Sequence, residues 1–522
     1  MVFLLAMPLA LLGSAAAGRL PATATAAAGQ RRGLLRLRSR WLAVGGALVV
    51  VVTGSVALVA SAASAQVQPF QQQLYIPPVL QGPEVTLEMV EADVQLLPTG
   101  PPTRMWTYNG NFPGPTIRRP AGEPTQLAVR NRLPATFGEA TLHNHGGHSA
   151  SSEDGQADSF LIPSGGMRTY TYEHMERGEP ERAAMQWYHD HRMDLTGRNV
   201  WNGLAGLFIL DDEVEAALDL PSGEFDIPLV LADRSFDEQN QIPYVFNPLG
   251  TVGDTILVNG RPQPHFNVGD RKYRLRLLNA SNRLPYAVEL SNGQPMHQIA
   301  TESGLLPAPV ERHQIVLGPG ERVEVVIDFA GHLGEEIVLR AVGGGGGMVV
   351  GGDVLQFRVD RDLIDDSALP ATLRPIPDFG EVSVTREFSL DFADDMWTIN
   401  GLPFDPERFD AEPALDSTER WIFTNNTEQS HTIHIHDVDW LLEHRDGQPP
   451  PAWENALKET WFIEPNETIS LITTFTGHTG AYVFHCHMLE HEDMMMMAQF
   501  NVLPGTERSR GEYDHRQPPN LR

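Results

Sequence analysis

One short pattern recurs three times along the chain and restricts its fold more than any other feature. Asparagine and glycine stand together, with a proline two or three residues after the glycine, at Asn109, Asn259 and Asn400. The intervals are 150 and 141 residues, and each copy precedes a strand-like segment that ends in asparagine, at Asn131, Asn279 and Asn425. Asn-Gly marks turns, and alternating apolar residues between turns mark strands. The pattern therefore predicts three copies of one β-rich unit.

The spacing of the turns indicates what each unit is. Short strands with turns about every ten residues are typical of antiparallel β-sandwiches. We therefore predict an all-β chain of three Greek-key β-sandwich domains, at residues 67–213, 220–362 and 376–504. The glycine run Gly343–Gly347 is predicted to be a mobile hairpin loop of the second domain, and residues 506–522 a disordered tail.

The first 65 residues have the composition of an export signal. They contain six arginines and no acidic residue, and the pair Arg31-Arg32 precedes an apolar run from Trp41 to Ala60. Small residues at Ala63–Ala65 follow, as at a cleavage site. The order resembles a twin-arginine signal, which predicts interaction with the export machinery and a periplasmic, cell-envelope or extracellular protein. An uncleaved membrane anchor is the alternative, because about 20 apolar residues can span a bilayer.

Charge and cysteine content exclude other classes. The formal net charge is −29, which argues against nucleic acid as a partner, since phosphate contacts need Lys and Arg. Cys486 is the single cysteine, so the chain cannot form an internal disulfide. This thiol is therefore structural, nucleophilic or a metal ligand.

Histidines supply the strongest functional signal. Ten of the 19 fall into four clusters, two in the first unit and two in the third. The second unit has His297 alone at the corresponding place. The clustered residues are His143 and His145; His189 and His191; His431, His434 and His436; and His485, His487 and His491.

Strand parity explains the spacing of these clusters. Alternate residues of a strand share a face, so each His-x-His pair can present both imidazoles on one side. His485 and His487 then face one way and Cys486 the other, so that one strand can serve two metal sites. A thiolate, two imidazoles and a weak thioether form a blue copper site. Cys486, His431 and His491 provide the first three, and eight histidines remain for further ions. Zinc is disfavoured because its structural sites close with four ligands.

The four clusters, in this order, resemble those of the multicopper oxidases. The motifs "HNHGG", "WYHDH" and "HCHMLEHED" are similar to those of bacterial laccases, spore-coat laccases and bilirubin oxidases. The resemblance implies three cupredoxin-like domains, four copper ions and a copper-dependent oxidoreductase that uses O2 as acceptor. It also implies a type 1 copper at His431, Cys486 and His491, with Met496 as axial ligand. The type 2 copper would take His143 and His434, and the type 3 pair His145, His189, His191, His436, His485 and His487.

Two carboxylates and the substrate class follow from the same resemblance. Asp154 and Glu492 match acids that relatives place near the three-copper cluster to supply protons while O2 is reduced to water. Phenols and aromatic amines are the expected reductants, with a bilirubin-type pigment or the metal ions Cu⁺, Mn²⁺ and Fe²⁺ as alternatives. Copper sequestration without turnover is a different class of function. Asp437, Asp439 and His444 follow the third cluster, where substrate is expected to approach. The sequence leaves the oligomeric state open.

Overall fold

The structure is a computed structural model that describes residues 68–505, except Arg177 and residues 344–350. Within this range the regular secondary structure is almost entirely β-strand, arranged mainly as three successive pairs of sheets. The predicted export signal, the tail 506–522 and most of the glycine run lie outside the described residues. None of the described helices is long and apolar enough to cross a membrane.

The first pair of sheets contains β2, β3, β5 and β7 in one layer and β1, β4, β6, β10 and β11 in the other. Its strands are β1 Val79–Leu80, β2 Glu84–Val94, β3 Thr103–Tyr108, β4 Gly114–Pro120, β5 Thr125–Asn131, β6 His143–His145, β7 Met167–Tyr172, β8 Met175–Glu176, β9 Glu179–Pro180, β10 Ala184–His189 and β11 Ala205–Asp211. Two short helices belong to this part, α1 Thr196–Trp201 and α2 Glu213–Ala216.

The second pair has seven and five strands. A 3₁₀ turn at Gly223–Phe225 leads into it. Its strands are β12 Asp226–Arg234, β13 Thr255–Val258, β14 Arg261–Pro262, β15 His265–Gly269, β16 Lys272–Asn279, β17 Tyr286–Leu290, β18 Met296–Thr301, β19 Gly304–Arg312, β20 Ile315–Leu317, β21 Arg322–Asp328, β22 Glu336–Ala341 and β23 Gly352–Arg361. β22 and β23, on either side of the glycine run in the sequence, are antiparallel partners.

The third pair has six and four strands. Its strands are β24 Val384–Ala393, β25 Met396–Ile399, β26 Thr418–Asn425, β27 His431–Ile435, β28 Trp440–Arg445, β29 Leu457–Lys458, β30 Thr460–Ile463, β31 Thr468–Thr474, β32 Gly480–Cys486 and β33 Met497–Val502. A 3₁₀ turn at Ala452–Glu454 and helix α3 Leu489–Asp493 complete it.

The same strand arrangement opens each pair of sheets. β2, β12 and β24 each pair antiparallel with the next strand, β3, β13 and β25. On its other side, each pairs in parallel with a later strand of the same sheet: β2 with β5, β12 with β16 and β24 with β26. Separate apolar cores fill the three sandwiches. The strands lie inside the three predicted domains, whose limits stay a prediction. Leu74, which precedes β1, packs into the core of the second sandwich.

The repeated asparagines explain why the sequence pattern recurs. Asn109, Asn259 and Asn400 all have positive φ, between 47° and 57°, a conformation that asparagine tolerates better than most residues. Each side-chain oxygen accepts a hydrogen bond from a backbone N–H of the first strand of its hairpin, β2, β12 or β24, at 2.7–2.8 Å. Each repeat therefore uses its asparagine to form the tight turn and to fasten it to the sheet.

The asparagines at the strand ends form a second repeated connection. Buried Asn279 donates to the carbonyl oxygens of Leu284 at 2.9 Å and Leu317 at 3.0 Å. Its side-chain oxygen accepts the N–H of Ser281 at 3.0 Å. Asn131 and Asn425 make the same three kinds of hydrogen bond in the other sandwiches. In the second sandwich this amide joins the two sheets, because Asn279 lies in β16 and Leu317 in β20.

We expect Asn279→Ala to lower the free energy of unfolding by about 2–5 kcal/mol, because it leaves buried backbone groups without partners. The measurement is the midpoint of denaturant unfolding. Asn292→Ala is the matched control, since Asn292 is an exposed turn residue and its loss should change stability by no more than about 0.5 kcal/mol. Equal midpoints for the two variants would contradict the role of the repeated asparagine.

Candidate metal centre

Strand ends from the first and third sandwiches bring the ten clustered histidines together. β6 carries His143 and His145, while β10 ends at His189 just before His191. In the third sandwich β27 and β32 are antiparallel partners, with His434 opposite His485. All ten imidazoles are buried. Eight of the ten therefore meet between the two sandwiches, while His431 and His491 lie with Cys486 in the third sandwich.

Eight of these histidines surround one space. Their ring nitrogens form three groups, each with atoms within 4.8 Å of one another. The groups are His143, His145 and His434; His145, His189 and His487; and His191, His436 and His485. His436 of the third sandwich stacks on His143 of the first, with ring centroids 4.0 Å apart. His434 stacks on His145 at 3.6 Å.

The Nδ1 atoms of His143 and His434 each bond to a backbone carbonyl oxygen. His143 Nδ1 lies 2.6 Å from the carbonyl oxygen of Asp154, and His434 Nδ1 lies 3.1 Å from that of Glu459. A carbonyl oxygen only accepts, so each Nδ1 carries the proton and each Nε2 keeps its lone pair. The two Nε2 atoms are 3.3 Å apart and face each other. A cation between them satisfies both lone pairs, which no hydrogen bond between them can do.

Electrostatics keep the rings neutral. Burial lowers the pKa of His434 well below its ordinary value, and the surrounding imidazoles lower it further. The same causes act on His143, His436 and His487. Among the described residues, His145 Nδ1, His189 Nε2 and both ring nitrogens of His487 are buried without a hydrogen-bond partner. Neutral imidazoles with unsatisfied nitrogens facing one space are suited to transition-metal ions.

A second, smaller site lies on the other face of β32. Cys486 Sγ is 3.5 Å from His431 Nδ1 and 3.7 Å from His491 Nδ1, and the two nitrogens are 3.3 Å apart. Burial raises the pKa of Cys486 to about 12, so the thiol needs a bound cation to ionise. One thiolate and two imidazoles in a compact triangle fit a blue copper ion.

The register of β33 identifies the methionine that faces this triangle. His485 is opposite Met497, so Cys486 is opposite Met496, and Cys486 N donates to Met496 O at 3.0 Å. Directly opposite residues of an antiparallel pair share a face. Met496 is fully buried in the core that contains Cys486, whereas Met494 and Met495 are partly exposed.

The two predicted carboxylates both contact the same group of histidines. Asp154 Oδ2 is 2.8 Å from His436 Nδ1. Glu492 places Oε1 at 3.4 Å from His191 Nδ1 and Oε2 at 3.2 Å from His485 Nδ1. Carboxylates in this position orient metal-binding imidazoles. Thr196 Oγ1 donates to Glu492 Oε1 at 2.7 Å, which fixes that carboxylate in turn.

The environments of the two carboxylates differ. Burial raises the pKa of Asp154 to about 7, although His191 and His485 oppose the rise. Burial also favours a neutral Glu492, but His191, His485 and the hydrogen bonds to its oxygens outweigh burial, and its pKa lies well below the usual range. Asp190, between His189 and His191, accepts the N–H of Thr141 at 3.0 Å, on the opposite side from the two imidazoles, as the alternation of side chains along a strand requires.

Several neighbours of the site were not found from the sequence. Glu459 Oε1 lies 3.1 Å from His145 Nε2 and also pairs with the buried Arg322. Trp397 stacks on His491, with ring centroids 4.5 Å apart and an interplanar angle of 24°. Neither residue has a motif. The "ADDM" turn before Trp397 signals a hairpin, but only the three-dimensional fold shows which ring it covers.

The acidic residues after the third cluster lie elsewhere than expected. Asp437 is buried and lines a cleft with His143, His148 and His436 on the side of the eight-histidine region. Asp439 Oδ2 lies 3.5 Å from His148 Nε2 on that same side. His444 is exposed on β28. None of the three is among the residues that contact Cys486, His431 or His491 in the structure.

Comparison with known proteins agrees with this geometry. Residues 90–215 and 381–506 each match a family profile described as multicopper oxidase. A laccase of Bacillus subtilis is 34% identical over 487 residues, which cover 80% of this chain and 94% of the laccase. The bilirubin oxidase of Albifimbria verrucaria is 35% identical over 425 residues, covering 76% and 73%. A crystal structure of a laccase from Pediococcus acidilactici superposes with a TM-score of 0.76 at 31% identity, covering 84% of this chain and 96% of that one.

The chain belongs to the multicopper oxidase family. This multicopper oxidase is a laccase-like, copper-dependent oxidoreductase with O2 as electron acceptor, and its cofactor is a set of four copper ions of types 1, 2 and 3. The predictions of an all-β cupredoxin-like fold, of the enzyme class and of copper are confirmed.

Proposed function

We propose that this multicopper oxidase oxidises phenols and aromatic amines. The observation that carries the proposal is the pair of aromatic rings that covers the site of Cys486, His431 and His491. Trp397 lies on His491, and Phe392, which is 53% exposed, lies on Trp397 with ring centroids 4.6 Å apart. An apolar aromatic surface suits a flat organic donor better than a hydrated ion. The laccase and bilirubin oxidase relatives support an organic reductant.

Oxidation of Cu⁺, Mn²⁺ or Fe²⁺ is the second candidate. Asp394 and Asp395 form the exposed turn of the hairpin that carries Phe392 and Trp397, and their carboxylates can attract a cation. We expect O2 uptake to be fastest with a phenol or an aromatic amine in a panel that also contains bilirubin and the three metal ions. A metal ion oxidised faster than every organic donor would favour the second candidate. Copper binding without any O2 uptake would indicate sequestration.

The donor atoms support one assignment of the copper ligands. We propose His431, Cys486 and His491, with Met496 as weak axial ligand, for type 1 copper, and His143 and His434 for type 2. The type 3 pair takes the remaining histidines, His145, His189, His191, His436, His485 and His487. Copper in these sites supplies one-electron oxidation of the donor at type 1 and four-electron reduction of O2 to water at the other three ions.

The protein contributes a short covalent connection and a dry, fixed environment. Cys486 stands between His485 and His487, so only a few bonds separate the proposed type 1 and type 3 ligands. All the proposed ligands are buried, which excludes bulk water from the rings. The carbonyl and carboxylate oxygens at Nδ1 hold the imidazoles in place before any ion binds.

We expect Cys486→Ser to remove the intense blue absorption band while the other copper ions stay bound. The hydroxyl is close in size to the thiol but cannot give the thiolate band of a blue copper site. The measurements are the visible spectrum and the copper content, which should fall by one ion per chain. A copper-loaded wild-type enzyme without blue colour would contradict the whole assignment.

We also propose that Glu492 and Asp154 deliver protons to the oxygen-reducing side. They are the carboxylates that touch His191, His436 and His485 directly. A carboxylate within hydrogen-bond reach can pass a proton to a reacting group.

We expect Glu492→Gln to retain all copper and the blue band and to slow reoxidation of the reduced enzyme by O2 by about 10²-fold, the lower range for removal of a general acid. Stopped-flow recovery of the blue band measures this rate. Asp154→Asn should behave similarly. Glu490→Gln is the matched control, because Glu490 is on the same helix and bonds to Tyr244, Thr251 and Asn282. Wild-type reoxidation by Glu492→Gln would assign this carboxylate a purely structural role.

Export is a further part of the proposal and rests on the sequence of residues 1–65. The basic, apolar and small-residue order supports transport of the folded enzyme across the cytoplasmic membrane. Cell fractionation and the amino-terminal sequence of the recovered enzyme check export and cleavage near Ala65. Enzyme confined to the cytoplasm would contradict it.

A further inference from the structure

The proposed electron-accepting ligand His491 is closed off from solvent. His491 is 0% exposed, and Trp397, which covers it, is 4% exposed. Trp397 also contacts His431 edge-on, with ring centroids 5.1 Å apart. The backbone of Leu249 lies beside the His491 ring. A donor at the protein surface therefore cannot touch either imidazole in this structure.

The β24–β25 hairpin holds Trp397 in that position. Phe392 and Trp397 are directly opposite residues of the two strands, so their side chains share a face. The two turn residues, Asp394 and Asp395, both have positive φ, as a tight two-residue hairpin turn requires. Trp397 Nε1 donates to the carbonyl oxygen of Pro248 at 2.9 Å. The indole is thus fixed from its own strand and from the second sandwich.

Above the indole the surface is apolar and open. Phe392 packs on Trp397 at 4.6 Å with an interplanar angle of 59°. The segment that supplies Pro248 exposes further apolar side chains, with Leu249 45% and Phe246 48% exposed. Exposed apolar groups that lie together mark binding surfaces. Phe392 contacts the indole, and the backbone of Leu249 lies beside the His491 ring that the indole covers, so the exposed side chains of both residues are placed close to Trp397.

We propose that Trp397 couples a reducing substrate to His491, and that Phe392 and Leu249 bind the substrate as a planar aromatic donor. The inference rests on the proposed phenol and aromatic-amine oxidation. With copper held by His431, Cys486 and His491, a phenol bound on this surface would give up one electron, which would pass through the indole and His491 to that copper. Its hydroxyl proton goes to solvent, and an aryloxyl radical leaves. Trp397 is neither oxidised nor reduced overall. Its ring fills the space between the phenol and His491, so the electron does not have to cross a gap.

A covering role alone predicts the opposite effect of substitution. If Trp397 only shields His491, a smaller side chain opens the ring to donors and speeds electron entry. If Trp397 is the coupling group, a smaller aliphatic side chain leaves a gap and slows it. The two roles are therefore separated by the sign of one rate change.

The experiment measures anaerobic bleaching of the blue band by a phenol in stopped flow, which reports electron entry without turnover. We expect Trp397→Leu to slow the limiting rate by about tenfold or more, which corresponds to about 1.4 kcal/mol of barrier. Trp397→Phe should recover part of the rate. Phe392→Ala should raise the phenol concentration needed for half-maximal bleaching and leave the limiting rate nearly unchanged. The blue band and the reduction potential of the site, measured by redox titration, should stay close to wild type in Trp397→Phe and Phe392→Ala.

Trp453→Leu is the matched control. Trp453 is 37% exposed and packs against Arg312 at another surface, so bleaching of this variant should match wild type. Bleaching of Trp397→Leu at the wild-type rate or faster overturns the inference. If Trp397→Leu does not fold or load copper, Trp397→Phe and Phe392→Ala decide. The inference is overturned if both variants bleach at the wild-type rate and with the wild-type dependence on phenol concentration. Failure of the proposed function is distinct, since a wild-type enzyme that phenols do not bleach contradicts that proposal first.

Discussion

The alternation of side chains along β32 is the constraint on which the rest of the site depends. His485 and Cys486 are neighbours in one strand, so their side chains must point to opposite faces. One face looks into the space between the first and third sandwiches, and the other into the core of the third. The two metal sites are therefore held at a separation set by covalent geometry. A one-residue shift of β32 against β27 or β33 would exchange the faces and destroy both sites.

The middle sandwich contributes no histidine to either site, yet it forms hydrogen bonds to both the first and the third sandwich. Asn282 donates to the carbonyl oxygen of Gly197 in α1 at 2.9 Å and to Glu490 Oε1 in α3 at 2.7 Å. α1 and α3 are also joined directly, because Asp493 accepts the N–H groups of Thr196 and Gly197 at 2.9 Å. Residues of all three sandwiches thus meet at the helix that carries His491. This explains why a domain without ligands belongs to the functional unit.

Bringing ten imidazoles into a dry region is unfavourable without cations. Burial and repulsion from neighbouring imidazoles lower the pKa of His143, His434 and His487, so these rings stay neutral and keep their lone pairs. Ions that bind the folded state alone stabilise it by mass action. Copper binding and stability are therefore linked in this enzyme. Protons compete with copper for the same nitrogens, so acid weakens both together.

Much of this could be predicted from the sequence because the relevant signals are local. The repeated Asn-Gly turns predicted three sandwiches, and His-x-His spacing with strand parity predicted which rings share a face. His431 has the opposite strand parity to His434 and His436, and the structure groups it with Cys486 and His491. The prediction that Asp437 and Asp439 lie where substrate approaches did not agree with the structure. Their chain position gave proximity to His436 but not the side of the sheet.

Contacts between segments that are far apart in the chain could not be predicted from the sequence. Trp397 and His491 are far apart in the chain, and their stacking depends on how the β24–β25 hairpin lies against α3. The same holds for Arg322 of the second sandwich, which pairs with Glu459 of the third beside His145. Such contacts require the relative position of whole sandwiches. No periodicity within one strand carries that information.

In the proposed assignment of the copper ligands, the entry of electrons is separated from the reduction of oxygen. The hairpin with Phe392 and Trp397 covers the Cys486 side, whereas Asp154, Glu492 and the cleft lined by Asp437 lie on the side of the eight histidines. Between the two sides stands the buried end of β32. An organic donor at the hairpin therefore has no direct access to the place where O2 is reduced. The connection between the two sides is covalent and buried, so electrons can pass from donor to oxygen only through the protein. Partly reduced oxygen is thereby kept apart from the donor and from the donor radical.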